Sequence, residues 1–325
     1  MKMIDAKAEL IAEKNPYRKV EMAARTCYKS TGSGTEEGAM KMCQRLIKSQ
    51  HTAMLEHAVF CFELSTANPA LPELREELMD YISVLSAYDF IRVTAAPIVD
   101  KAFTKITTRV LVSANARAIS ERGINDPIFR AVQEKYPSLV WGNGLQDEYH
   151  LYDGRVKAEI VDIDSYTDLT EEEIGAHKVL TFRFTTDRAV ANEMVRHRPC
   201  SFAQESTRYV NYMEGIKIAE PVDFSEKSSE IAAMYEAAWK TCEELYGKLI
   251  EAGEKPQQAR AVLPLGLQTE IVTTAHMKEW KHIFNLRVHG TTGAPHPDIK
   301  YVMAQALDIA MQDPLAAKYL QTENN

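Results

Sequence analysis

The sequence predicts an α+β fold, and three observations carry that prediction. Two short runs rich in β-branched and aromatic residues, Ala58–Leu64 and Val179–Phe184, have the composition of strands. Longer stretches around them carry apolar residues at helical spacing. No internal repeat or low-complexity tract is evident, and 325 residues with 45% hydrophobic and 26% charged content can bury a sizeable core.

Taken in order, Pro16–Lys29 reads as a helix with Val20, Ala23, Ala24 and Cys27 on one face, ended by a Gly32-Ser33-Gly34 turn. Thr35 is placed to cap a second helix carrying Met40, Cys43, Leu46 and Ile47. Residues 66–175 hold a helical piece, Leu71–Leu85, and a strand at Arg109–Ser113. They also include a turn-rich stretch, Trp141-Gly142-Asn143-Gly144, with Tyr149 and Tyr152 nearby. The acidic run Glu171-Glu172-Glu173 precedes the second strand. Asp187 then caps a helix through Val195, on which Ala189, Glu193 and Arg196 share a face.

Ser228–Ala252 is the most regular helix, with a stripe of Ile231, Met234, Tyr235, Ala238, Cys242, Leu245 and Leu249 expected to face the core. Gly253 ends it. Pro256 starts a short helix carrying Arg260, closed by Pro264, and Glu270–Phe284 reads as helical.

With 46 Asp+Glu against 38 Lys+Arg the chain is acidic, which argues against nonspecific nucleic-acid binding. No apolar run reaches the ~18–20 residues of a membrane span, and the first residues lack an apolar signal core. The five cysteines are odd in number and widely spread, and the nine histidines miss metal-ligand spacings. A cytoplasmic protein with free thiols and no metal is expected.

Against that acidic background, Arg196-His197-Arg198-Pro199-Cys200-Ser201-Phe202-Ala203-Gln204-Glu205-Ser206-Thr207-Arg208 concentrates three arginines, a histidine and three hydroxyls. Guanidinium groups bind phosphate bidentately, and such a cluster repels itself unless an anion sits between. The plain alternative is a basic helix end in which Arg196 pairs with Glu193 or Asn192 and Arg208 with Glu205.

Arg-His-Arg, seven residues, Ser, then Ser206-Thr207-Arg208-Tyr209 resembles the signature of the flavin-dependent thymidylate synthases. The resemblance extends to Ala23-Ala24-Arg25-Thr26-Cys27-Tyr28, His51-Thr52-Ala53-Met54-Leu55-Glu56-His57, Ala259–Pro264 and Glu279–Arg287, in the family's order. It implies a single domain over 1–325 with a central, mostly antiparallel sheet flanked by helices, and makes 66–175 a large insertion. The implied reaction converts dUMP and methylenetetrahydrofolate to dTMP, with NADPH as reductant and tightly bound FAD, in a homotetramer whose flavin site lies between subunits.

Carried over residue by residue, the resemblance puts Glu193, Arg196, Gln204, Glu205, Ser206, Arg208, Arg260 and Arg287 on the nucleotide, with Arg287 and Ser206 catalytic. Arg287 would hold the charge that develops on the pyrimidine ring. His51, Arg196, His197, Arg198, Ser201, His276, Lys278 and His282 fall on flavin-contacting positions. The chain departs from the family's pattern at Ala53, Ala203 and Gln204, which removes two polar groups and one charge near the flavin, and the loop Val288–Gly293 is longer. Three other readings stay open: hydroxymethylation of the same nucleotide, a non-catalytic nucleotide-binding regulator, and a nucleophilic Cys200 whose basic neighbours would lower its pKa.

Overall fold

Two separate four-stranded antiparallel sheets organise the computed structural model, which describes residues 1–32, 34–66, 72–88, 90–99, 106–142 and 155–321. The strands are β1 Lys2–Ile4, β2 Lys7–Leu10, β3 Val59–Thr66, β4 Ile91–Val99, β5 Ile106–Asn115, β6 Val156–Val161, β7 Val179–Asp187, β8 Ser201–Gln204, β9 Lys217–Ala219 and β10 Gln268–His276. The first helices are α1 Pro16–Tyr28, α2 Glu36–Lys48, α3 Pro72–Ser86, α4 Ala116–Arg122, α5 Pro127–Lys135, α6 Glu171–His177 and α7 Arg188–Met194. The rest are α8 Ser229–Glu251, α9 Pro256–Ala259, α10 Met277–Arg287, α11 Pro297–Ala310 and α12 Pro314–Gln321. No described helix is long and apolar enough to cross a membrane.

The first sheet has the order β2-β7-β10-β8, and β1 and β9 form a small parallel pair beside it. Phe182 and Phe184, two residues apart and therefore on one face, are fully buried. They pack against α10, where Trp280 meets Phe182 edge-on at 5.1 Å and stacks on Phe284 at 5.6 Å. The opposite face, through Val272 and Ala203, packs on Ala23 of α1. Burial on both faces fixes this sheet as the centre of the molecule.

The second sheet has the order β4-β5-β3-β6, so three of its four strands come from segment 66–175. Phe60, Phe62 and Leu64 point to a core shared with Val20 and Ala24 of α1, Cys43 and Leu46 of α2, and Phe129 of α5. The segment is thus packed into the same core as the N-terminal helices.

The two sheets are stitched reciprocally. His57, just before β3 of the second sheet, bonds through Nδ1 to Thr274 Oγ1 on β10 of the first at 2.8 Å. His177, just before β7 of the first sheet, bonds Thr94 Oγ1 and Ser113 Oγ of the second at 2.8 and 2.9 Å. Both rings are buried, and burial pushes the pKa of each down to about 4.

Several expectations are corrected. Glu270–Ala275 belongs to a strand, β10, which hydrogen-bonds to β7 and β8 on its two sides; the helix begins only at Met277. The acidic run does precede β7, as expected, and it also opens α6, where Thr170 and Glu173 form a reciprocal capping box. α1 spans Pro16–Tyr28, close to the expected extent, and what stops it is Lys29 itself, whose φ of 49° and ψ of 45° place it in the left-handed region, ahead of the glycine turn. The stripe on α8 does not enter the core: Ile231 is 47% exposed, Met234 68% and Leu245 45%, while Trp239 and Tyr246 make the buried contacts. Of the turn-rich stretch, Asn143, Gly144, Tyr149 and Tyr152 lie outside the described residues, as does Ser33.

Candidate functional site

Two helix ends build the site. Asp187 Oδ1 accepts the Val190 amide at 2.6 Å and starts α7 where β7 stops. Seven residues later the chain leaves the helix, with the His197 amide bonded back to Met194 O at 3.0 Å. α10 follows β10, the neighbour of β7, so its last residue, Arg287, arrives beside the end of α7.

There Arg287 donates from Nη1 to Glu193 Oε2 at 2.8 Å and from Nε to His197 Nε2 at 3.0 Å. His197 is buried, and burial, then the charge of Arg287, then His282, press its pKa down to about 4. It is therefore neutral near pH 7, with its proton on Nδ1 because Nε2 accepts from Arg287. Glu193 and His197 together fix the guanidinium. Among the described residues Arg287 Nη2 has no partner and is open to a ligand.

His197 also lines a cavity of about 380 Å³ together with Arg198, Cys200, Lys278, Lys281 and His282. Arg198, Lys278 and His282 are exposed and make no hydrogen bond or ion pair with the described residues. Ser201 and His276 line a second, much smaller cavity with Arg92 and Asn115 of the second sheet. His276 Nδ1 is buried there without a partner, and burial, with Arg92 and His177 adding to it, lowers the ring's pKa to about 3.

A second cluster follows β8. Gln204 Nε2 reaches Thr269 Oγ1 at 3.4 Å. Glu205 is buried, accepting from Tyr212 OH at 2.9 Å and Lys29 Nζ at 3.4 Å, while its Oε2 has no partner. Ser206 is tied to α1 through its amide, which donates to Cys27 O at 3.0 Å, and its Oγ accepts the Arg208 amide at 3.3 Å. Arg208 is exposed over the Tyr209 ring, and Arg260 Nη1 touches Thr207 Oγ1 at 3.4 Å.

Of the residues singled out from the sequence, the structure joins Glu193, His197 and Arg287 directly and sets Arg198, Lys278 and His282 around one cavity. Gln204, Glu205, Ser206, Arg208 and Arg260 lie along β8 and the turns facing it. Arg196 lies beyond the last turn of α7 and is exposed, so the helix face it was expected to share ends at Glu193. His51 is exposed and lines neither cavity. The helix-decoration alternative fails, because Glu193 pairs with Arg287 and Glu205 with Lys29. Cys200 is also corrected: burial, reinforced by Glu279, pushes its thiol up to about 12.

Sequence reasoning missed Lys281, Glu279 and Tyr319 in the larger cavity and Arg92 in the smaller. Lys281 lies one turn from Lys278, a spacing that puts both on one helix face and that was readable. Arg92, which ion-pairs with Glu279 at 3.0 Å, comes from a distant strand and gave no such signal.

The family described as thymidylate synthase complementing protein matches this chain over residues 9–74 and 150–313, and the chain belongs to that family. A flavin-dependent thymidylate synthase of Geobacter sulfurreducens is 32% identical over 129 residues, 38% of this chain and 54% of its own length. One of Thermococcus onnurineus is 33% identical over 122 residues, 36% of this chain and 49% of its own. The chain thus spans about half the length of these relatives. A UMP/dUMP methylase, PolB of Streptomyces cacaoi, solved with 5-Br dUMP, aligns over 98% of this chain and 96% of its own at 12% identity and a TM-score of 0.42.

Proposed function

We propose that this chain is a flavin-dependent thymidylate synthase that methylates dUMP to dTMP, with methylenetetrahydrofolate as carbon donor and NADPH as reductant through tightly bound FAD. The observation that carries the reading is Arg287, a guanidinium oriented on two sides by Glu193 and His197 with Nη2 left open. Such a fixed positive charge suits a pyrimidine ring that becomes electron-rich, and preorganised donors of this kind are worth ~10²–10³ in rate.

The nucleotide would be held by Glu193, Arg196, Gln204, Glu205, Ser206, Arg208, Arg260 and Arg287. Ser206 Oγ already accepts an amide, so its hydroxyl proton is available to the substrate. The residues present fit a flavin. The buried, unpartnered Nδ1 of His276 offers a ring-directed hydrogen bond, and Arg198 and Lys278 form a cationic wall suited to a diphosphate, with the His282 ring beside them. Bound there with His51, Arg196, His197 and Ser201, FAD would supply the hydride chemistry that side chains lack.

A cavity of about 380 Å³ holds only part of so large a cofactor, which supports a site completed by other subunits of a homotetramer. The exposed stripe on α8 supports the same assembly. Ile231, Tyr235, Ala238, Cys242, Leu245 and Leu249 alternate spacings of four and three residues, the pattern of a helix seam. We also infer one domain over 1–325 with 66–175 as an insertion, and a cytoplasmic location. The test is anaerobic: protein that purifies yellow or takes up FAD, bleaches with NADPH and then forms dTMP supports the reading. Colourless protein that takes up no FAD as a tetramer refutes it.

A further inference from the structure

A third cavity, of about 310 Å³, shares Val59 and Val179 in its lining with the small cavity of Ser201 and His276. It opens where the start of α1 meets the starts of β3 and β7 and the end of β6. Phe60, Tyr136, Ile160 and Val161 supply its apolar surface. Lys14, Lys19, Lys135 and Lys178 also line it, against Asp162 and Asp164.

The charges do not balance locally. Lys178 is satisfied, bonded to Asp164 and Asp313 at 2.6 Å each, and Lys14 reaches Asp162 at 3.3 Å. The Lys19 ammonium makes no hydrogen bond or ion pair among the described residues. The two carboxylates nearest it in sequence are engaged elsewhere, Glu21 by Arg25 at 2.9 Å and Glu13 by Arg18 at 2.8 Å and the Asn15 amide at 2.9 Å. A partly buried ammonium with no directly bonded carboxylate is costly to keep in a fold, and an anion in the cavity offsets that cost. Burial lowers the pKa of Lys19; Glu13 and Asp164 oppose the shift and Lys178 and Lys14 add to it, so the carboxylates already present do not offset the desolvation.

We propose that this cavity binds a small molecule carrying one anionic group, phosphate or carboxylate, on a flat apolar body, with Lys19 pairing the anion and Phe60 and Tyr136 contacting the body. The site shares no cation with the cavity around Arg198 and does not depend on the proposed function.

The test labels accessible lysines of the full-length protein with acetic anhydride and reads Lys19 by peptide mass spectrometry, with phenyl phosphate, benzoate or inorganic phosphate present. Either aromatic anion should protect Lys19 with half-protection on the order of 1 mM, as expected for a fragment of that size. The better of the two identifies the anionic group. Inorganic phosphate should protect at least ~10-fold less well. Calorimetry should show Lys19→Met weakening the better aromatic anion ~10-fold or more, and Lys19→Arg retaining it. Should Lys19→Met fail to fold, protection in the unmodified protein still decides. No protection by either aromatic anion up to ~20 mM, equal protection by inorganic phosphate, or undiminished binding to Lys19→Met overturns the proposal.

Discussion

The two sheets share a strand pattern and part company in what they do with polar groups. His57-Ala58-Val59-Phe60-Cys61-Phe62-Glu63-Leu64-Ser65-Thr66 and His177-Lys178-Val179-Leu180-Thr181-Phe182-Arg183-Phe184-Thr185-Thr186 agree at the leading histidine, at Val, at the second aromatic position and at the final Thr. Each sets a buried histidine before the strand, and each histidine reaches across to the other sheet. Beyond that point the second sheet closes its buried charges on one another, while Thr66 Oγ1 and His57 Nε2 are left without partners among the described residues. Arg109 donates to both carboxylate oxygens of Glu173 at 2.7 and 2.6 Å and to Asp168 at 2.8 Å, and both ring nitrogens of His177 are bonded. The first sheet leaves its polar groups open: Arg287 Nη2, His276 Nδ1, Glu205 Oε2 and the exposed guanidinium groups of Arg196 and Arg198. Closed networks hold a scaffold, whereas open ones await a ligand.

The largest effect should come from breaking a closed network. Glu173 is fully buried, and replacing it leaves Arg109 buried with only half-exposed Asp168. Glu173→Ala should cost ~3–5 kcal/mol in urea unfolding, while Arg109→Met combined with Glu173→Leu should recover most of it. A loss below ~1 kcal/mol for Glu173→Ala would mean this network is not the scaffold described.

Opening the site further should cost activity and leave stability nearly untouched. Arg287→Ala should lower dTMP formation ~10²–10³-fold and weaken dUMP, with FAD still bound and reducible by NADPH. Because Arg287 also bonds His197, the flavin spectrum should shift as that ring is released. Arg198→Ala should show the reverse order, flavin lost first. Loss of flavin from Arg287→Ala with dUMP affinity intact would assign the two arginines the wrong way round.

How much of this could be read from the chain follows the same division. β7 and α7 were legible because Phe182, Phe184 and the Asp187 cap are local signals. β10 was not: it is buried on both faces, so Ile271-Val272-Thr273-Thr274 shows no alternation to separate strand from helix. The α8 stripe was read as core because spacing reports amphipathicity and not which surface covers it. In the site the residues were legible and their pairing was not. Arg287 meets His197 and Glu193 across 90 and 94 positions, and Arg92 enters from another sheet.

A smaller, graded effect should come from the two stitching histidines. A folded-state pKa of about 4 against 6.5 for a free histidine means that the unfolded chain takes up protons first as pH falls. Each histidine therefore contributes stability that is full above about pH 6.5 and is lost between there and about pH 4, at ~1.4 kcal/mol per pH unit at most. Melting curves across that range should steepen accordingly, and His177→Gln should flatten them. An unchanged pH slope in His177→Gln would show that this ring is not held neutral between the sheets.

The smallest effect is expected at Cys200, and it bears on what the open site is for. The thiol lines the cavity beside Arg198 and Lys278, where basic neighbours alone would favour a thiolate. Burial wins instead, with Glu279 adding negative charge, and the pKa rises to about 12, so almost no thiolate exists at neutral pH. A nucleophile in that state is poorly suited to attack a pyrimidine ring. Cys200→Ala removes one sulfur from a partly exposed wall and should retain turnover within about threefold, with flavin affinity little changed. A loss of ~10³ or more with flavin still bound would return the chemistry to the cysteine, and the cationic wall around it would then need to be read as activating a thiolate.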